Sequence, residues 1–253
     1  MTSFPYTLTS SIGDGGTLGL IVLQVDETIE HDFRRIFSSP DVALYITRIR
    51  SGAELNPDTI AQMELDLPAA ASLLPPAAEF DAVGYACTSG TTLIGPDKVA
   101  DLIKSACKTR FAANPLTAAF DAMRALDVRS FGLVSPYIEE VASSMKTVFE
   151  QEGFSVPASV SFGEEVEARV ARIDPVSIRK AAIHVSQQPG VEAIFLSCTN
   201  LRTLDLIEDL EQELDMPVIS SNLALAWQMA SVAGIGSRAC APGRLFRTVV
   251  GLD

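Results

Sequence analysis

The chain is poor in basic residues, in histidine and in long apolar runs, and each shortage closes off a class of function. Its 253 residues carry 19 Lys and Arg against 32 Asp and Glu, a formal net charge of −13. Phosphate backbones and anionic lipids are bound by clustered Lys and Arg, and no stretch here supplies them, so no nucleic acid and no membrane is expected as a partner. Two histidines, His31 and His184, leave little for a zinc site and read as ordinary helix residues, so no metal is expected. Four widely spaced cysteines do not make a disulfide framework. The longest apolar runs, such as Leu18 to Leu23, fall far short of a bilayer's thickness, and the first residues lack a secretory signal pattern. A cytoplasmic protein is expected, with 47% hydrophobic residues to fill one large domain or two lobes.

What the sequence does have is a duplication. Cys87 closes the apolar run that starts at Asp81 and is followed by Thr88, Ser89 and Gly90; Cys198 closes the run from Glu192 and is followed by Thr199 and Asn200. Each run is short enough for a buried strand, and the residues after each cysteine are those that open a helix. A thiol there faces backbone N–H groups, which with the helix dipole lower its pKa and hold a carboxylate nearby. A lone cysteine of this kind reads as core packing, since free cysteine is among the most buried residue types. Two in matching settings read instead as a two-sided acid/base pair.

Around them, strand and helix patterns alternate. Strands are expected at Leu18 to Val25, Val42 to Ile49 and Ala82 to Ala86, and helices at Glu27 to Phe37, Pro57 to Leu74, Pro96 to Lys108 and Asn114 to Leu126. The pattern restarts with strands at Ser130 to Val134, Ser155 to Val160, Ala193 to Leu196 and Val218 to Ser220. Helices are expected at Tyr137 to Gln151, Pro175 to Gln187, Leu204 to Glu213 and Asn222 to Val232. Such alternation gives an α/β fold of two pseudo-symmetric flavodoxin-like lobes joined near Asp127, each a parallel sheet flanked by helices. Both Cys-Thr turns fall at carboxyl ends of strands, where open parallel sheets bind ligands, so the active site is expected between the lobes.

Other motifs carry less. Gly13-Asp-Gly-Gly16 precedes its strand, the reverse of a dinucleotide fingerprint, and reads as a turn; Gly90 to Lys98 lacks the spacing of a phosphate loop. Cys107, on a helix, and Cys240, in a loop, lack the strand-end setting and read as structural. Trp227 reads as core.

The runs Leu18-Gly-Leu-Ile-Val22, Ala86-Cys-Thr-Ser-Gly90, Pro136-Tyr137, Ser197-Cys-Thr-Asn200 and Ser221-Asn222, with Ala224 and Trp227, together resemble the maleate isomerase and arylmalonate decarboxylase branch of the aspartate/glutamate racemase superfamily. The resemblance implies a cofactor-independent enzyme with Cys87 and Cys198 on opposite faces of a small carboxylate substrate and Tyr137 bonded to its carboxylate. It also implies that the chain from about Asn222 returns to the first lobe, giving lobes of 1–127 plus 222–253 and of 128–221; a homo-oligomer is expected. Taking a proton from carbon beside a carboxylate loads charge onto the carboxylate oxygens, and Thr88, Ser89, Thr199 and Asn200 are the candidate donors to stabilise it. One cysteine would take the proton and the other return one, their titrations coupled. In a maleate-type reaction one cysteine would instead add to the double bond. Decarboxylation is a third outcome, but the decarboxylase branch lacks the first of the paired cysteines, which favours racemisation or isomerisation here.

The departures from the maleate pattern bear on substrate. Asp26 aligns with a family asparagine, and Glu167 with a second. Asparagine donates to a carboxylate whereas Asp or Glu repels it, so a dicarboxylate fits poorly and a substrate with one carboxylate and one cationic nitrogen fits better. The run from Leu23 to Glu30 resembles the ectoine-utilisation branch, whose ligands are cyclic amidinium carboxylates. Asp26 also stands where a helix cap belongs, and the two roles can coexist. The expected function is a racemase or isomerase of a small zwitterionic carboxylate. The alternatives are a maleate-type isomerase or decarboxylase and, from another class, a two-lobed binding protein without turnover.

Overall fold

The computed structural model describes residues 3–54 and 57–248, with the side chain of residue 57 excepted. In the first half of the chain β1 (Gly16–Leu23), α1 (Ile29–Ile36), β2 (Val42–Ile49), α2 (Pro57–Ala71), β3 (Phe80–Ala86), α3 (Thr88–Ile94), α4 (Pro96–Ala106), β4 (Thr109–Ala113) and α5 (Pro115–Ala125) follow one another. The second half runs β5 (Ser130–Ser135), α6 (Glu139–Gln151), β6 (Ser155–Ser161), α7 (Glu167–Val170), α8 (Pro175–Ser186), β7 (Ala193–Leu196), α9 (Ile207–Leu214), β8 (Val218–Ser220) and α10 (Ser221–Val232). Two four-stranded parallel sheets result, in the orders β2-β1-β3-β4 and β6-β5-β7-β8. The same order is thus used twice.

The inner strands are nearly continuous apolar runs because helices cover both of their faces. Alternate side chains of the first sheet divide between two cores. Leu18, Leu20, Val22 and Ala86 join a cluster that continues through α5 and α10 into the second sheet, while Ile21, Val83, Tyr85 and Cys87 pack under α2 and α4. α10 is buried on every side from Ser221 to Ala230, as befits a helix hydrophobic all round. It packs against α5, β3, β4 and α1, and also against β8. No helix among the described residues is long and apolar enough to cross a membrane.

Several expected boundaries move. β1 ends at Leu23 rather than Val25, because Asp26 N–H already turns back to Leu23 O. α6 starts at Glu139, leaving Tyr137 in the strand-to-helix turn. α4 stops at Ala106, so Cys107 follows the helix instead of lying on it, and β4 follows at once. β4 is an edge strand with a partly exposed, polar start, and its five residues show too little alternation to announce it.

Candidate active site

In each sheet the strand order reverses beside the first strand, opening a crevice outside the carboxyl ends. Asp26 follows β1 and Cys87 follows β3; in the other sheet Tyr137 follows β5 and Cys198 follows β7. Four of the expected site residues therefore stand as two pseudo-equivalent pairs.

Cys87 is the N-cap of α3, and its Sγ accepts the Gly90 N–H at 3.2 Å and lies 3.7 Å from Ser89 Oγ. A Cβ at Gly90 would come within 2.8 Å of both Cys87 Sγ and the Tyr85 hydroxyl, so glycine leaves the thiol room to sit over the helix start. Cys198 differs. Its φ is +111°, a region that residues with a side chain rarely adopt, and no helix opens directly behind it: α9 begins only at Ile207. Its Sγ accepts the Asn200 N–H at 3.4 Å. The expected second helix start is replaced by a seam, because Asn200 turns its polar groups toward the other lobe. Asn200 Oδ1 accepts the Glu27 N–H at 2.9 Å, and its carbonyl accepts the Thr28 hydroxyl at 2.9 Å.

The two cysteine turns are laced together. Thr88 Oγ1 donates to Ser221 Oγ at 2.9 Å, and that oxygen also accepts the Cys198 N–H at 3.1 Å. Thr199 Oγ1 donates to Ala86 O at 3.3 Å, and Asn222 Nδ2 to Thr199 O at 2.9 Å and to Asp32 Oδ2 at 2.8 Å. Buried Tyr137 lies close enough to both thiols that they add to the burial that pushes its hydroxyl pKa well up.

Three acids complete the cluster. Asp26 Oδ1 accepts the N–H groups of Thr28 and Ile29 at 2.8 and 2.9 Å, a side-chain turn that leads into α1, whose N-cap position is Thr28 and not Asp26. Its Oδ2 is buried with no hydrogen-bond partner among the described residues. Burial raises its pKa against those backbone bonds. Glu167, at the head of α7, receives Asn200 Nδ2 at 2.9 Å and is pushed up to about 7 by burial, with the Asp26 charge adding to the effect. Asp32, behind them, rises to about 6, again through burial. The Arg48 charge offsets the burial of Asp26 only in part and forms no salt bridge with it: its guanidinium bonds the carbonyls of Leu23 and Asp26, both at 3.0 Å, and Glu30 Oε2 at 2.8 Å. Among the described residues neither Asp26 nor Glu167 forms a salt bridge.

The thiols run opposite to expectation. Cys87 and Cys198 are only 2% and 4% exposed. Burial outweighs the Gly90 N–H and Ser89 and pushes Cys87 up to about 12. Cys198 also rises well above the ordinary thiol range, through burial and then the field of Glu167. Of the expected donors, Thr88, Thr199 and Asn200 are engaged by protein partners, and Ser89 stays beside the Cys87 thiol. Sequence reasoning gave no site role to Tyr85, Ser221 or Asn222. The last two follow a short apolar strand, the same signal that marked the cysteines.

A family model for arylmalonate decarboxylase matches residues 108–246. The arylmalonate decarboxylase of Bordetella bronchiseptica is 33% identical over 132 residues, which cover 51% of this chain and 55% of the relative. The chain thus matches little more than half the length of that relative. The maleate isomerase of Nocardia farcinica is 23% identical over 243 residues, 91% of this chain and 95% of that one. A solved structure of the Nocardia farcinica maleate cis-trans isomerase, a cysteine-to-serine variant with a covalently bound succinylcysteine intermediate, superposes with a TM-score of 0.83 at 22% identity, covering 93% and 99% of the two chains. For the maleate isomerase of Pseudomonas putida S16 with maleate the TM-score is 0.81 at 20% identity, covering 92% and 98%.

Proposed function

Because this chain belongs to the arylmalonate decarboxylase family, we propose that it is a cofactor-independent isomerase in which Cys87 and Cys198 work from opposite faces of a small carboxylate substrate. The observation that carries this reading is the lacing of the two cysteine turns through Ser221, with Tyr137 next to the Cys198 thiol. One cysteine, as thiolate, takes the proton from the carbon next to the carboxylate; the other, as thiol, protonates the opposite face. The carbon inverts and the single shared proton has changed sides. In this reading the Tyr137 hydroxyl donates to the substrate carboxylate as charge builds there.

The substrate class follows from Asp26 and Glu167. Two buried acids without a salt bridge favour a ligand with a cationic nitrogen over a second carboxylate. Such a cation also offsets the acids' field, which raises Cys198 through both carboxylates and Cys87 through Glu167. Binding thereby eases formation of the thiolate. A cyclic amidinium carboxylate of the ectoine or hydroxyectoine type, met in the cytoplasm during catabolism, has this charge pattern.

The second reading is maleate-type cis-trans isomerisation, with one cysteine adding to the double bond and leaving after rotation. The similarity to maleate isomerase over 91% of the chain favours it. Proton NMR in deuterium oxide, over ectoine-related compounds, amino acids and maleate, separates the readings. Racemisation replaces the proton on the inverted carbon by deuterium. Conversion of maleate to fumarate without such labelling overturns the zwitterion reading, and no change in any compound leaves a binding protein.

A further inference from the structure

Residues 3–12 lie outside both cores and form no helix or strand. Phe4, Tyr6, Leu8 and Ile12 are 88%, 82%, 88% and 71% exposed. Among the described residues the arm's hydrogen bonding is confined to Thr9 Oγ1 donating to Ser10 O. Phe4, Tyr6 and Leu8 alternate with Pro5, Thr7 and Thr9, the period of a strand with one apolar face.

A receptor of matching shape lies on the same protein. β2 is an edge strand of eight residues, and its outer side has no partner strand among the described residues. Beside its carboxyl end a groove of about 410 Å³ is lined by Ile49, Ala69, Ala70 and Leu73 and rimmed by Arg48 and Arg50. Leu73 and nearby Leu65 on α2 are 74% and 73% exposed. An unblunted edge of this length is a template for strand addition.

We propose that the arm of one chain adds as a strand to the β2 edge of a second copy, with Phe4, Tyr6 and Leu8 packed over the groove beside α2 and the two arms exchanged about a two-fold axis. With residues 4, 6 and 8 bonding β2, the missing N–H of Pro5 faces away from the ladder, where proline is tolerated on an edge. The area suits a second copy. An aromatic side chain buries about 150–250 Å²; two arms with three large apolar residues each, together with the surface they cover, reach the roughly 1,200–2,000 Å² of a stable interface. Reciprocal exchange also closes the assembly, covering both free edges at once. The inference is independent of the reaction catalysed.

Light scattering coupled to gel filtration, run on the full chain over a wide concentration range, tests it. The unmodified protein should have the mass of a dimer. The triple variant Phe4→Ser, Tyr6→Ser, Leu8→Ser should have the mass of a monomer, and so should Leu73→Lys, both with unchanged circular dichroism because these side chains are exposed within their own chain. A monomeric unmodified protein overturns the proposal, including the case in which hydrogen exchange shows the arm protecting its own β2 edge. A triple variant that dimerises as tightly as the unmodified chain overturns it as well.

Discussion

The backbone N–H of Cys198 donates to Ser221 Oγ at 3.1 Å, and the same oxygen accepts the Thr88 hydroxyl at 2.9 Å. One serine thus holds the strained backbone of the second cysteine and ties it to the turn of the first. Ser221→Ala leaves a buried N–H without its partner, which should cost ~1–3 kcal/mol of stability. Turnover should fall by about tenfold or more, since a small misplacement of reacting groups is costly. Urea unfolding and steady-state rates measure the two effects, and a variant as stable and as fast as the parent would refute this role.

Cys87→Ser and Cys198→Ser should each reduce turnover by at least ~10²-fold, the scale for losing a positioned acid or base. Cys107→Ser and Cys240→Ser should be nearly silent. In the native protein iodoacetamide should modify exposed Cys240 first, while the two buried, protonated thiols react slowly. Mass mapping of the alkylated peptides gives the order, and early labelling of Cys87 would contradict the burial described.

For Asp26→Asn the turn into α1 should survive, because the Asn side-chain oxygen can accept the same two N–H groups. Affinity for a zwitterionic ligand should drop by roughly 2–4 kcal/mol as a desolvated cation loses its partner. Binding of a dicarboxylate should improve. Calorimetric titration with both ligand types decides, and an unchanged affinity ratio would leave Asp26 only its turn before α1.

Stability should decline as the solution becomes less acidic. The Glu167 carboxyl stands at about 7 in the folded protein against an ordinary 4.5, and Asp32 at about 6 against 3.8. Between the unfolded and folded values the native state holds more protons, so the energy of unfolding falls as pH rises through that window, by ~3 kcal/mol for Glu167 when fully expressed. Glu167→Gln should flatten this slope, stabilising the protein above neutral pH and doing little near pH ~4. Denaturant titrations across the range test it, and equal slopes in both proteins would discount the buried acid.

Much of this architecture is legible in the residues. The apolar runs of β1, β3, β5 and β7 announce buried parallel strands, and Asn114 and Asp174, each followed by proline, mark the starts of α5 and α8 where their side chains indeed cap. The start of α3 is legible in the residues that follow Cys87, but its extent is not, since Thr-Ser-Gly-Thr-Thr has no helical periodicity and the helix is held by Cys87 and by hydroxyl bonds back to carbonyls. The thiol pKa values run against the sequence expectation because local donors are visible in a sequence and the depth of tertiary burial is not. The bridging role of Ser221 is hidden for the same reason: its two partners are 133 and 23 residues away.

Asn200 joins the N–H of Glu27, the hydroxyl of Thr28 and the carboxylate of Glu167 in one latch beside the Cys198 thiol. Three segments far apart in the sequence are thus tied to one residue, so the position of the Cys198 turn and that of the loop after β1 are set together. A change that frees one of them, as Asn200→Ala would, is felt by the other two.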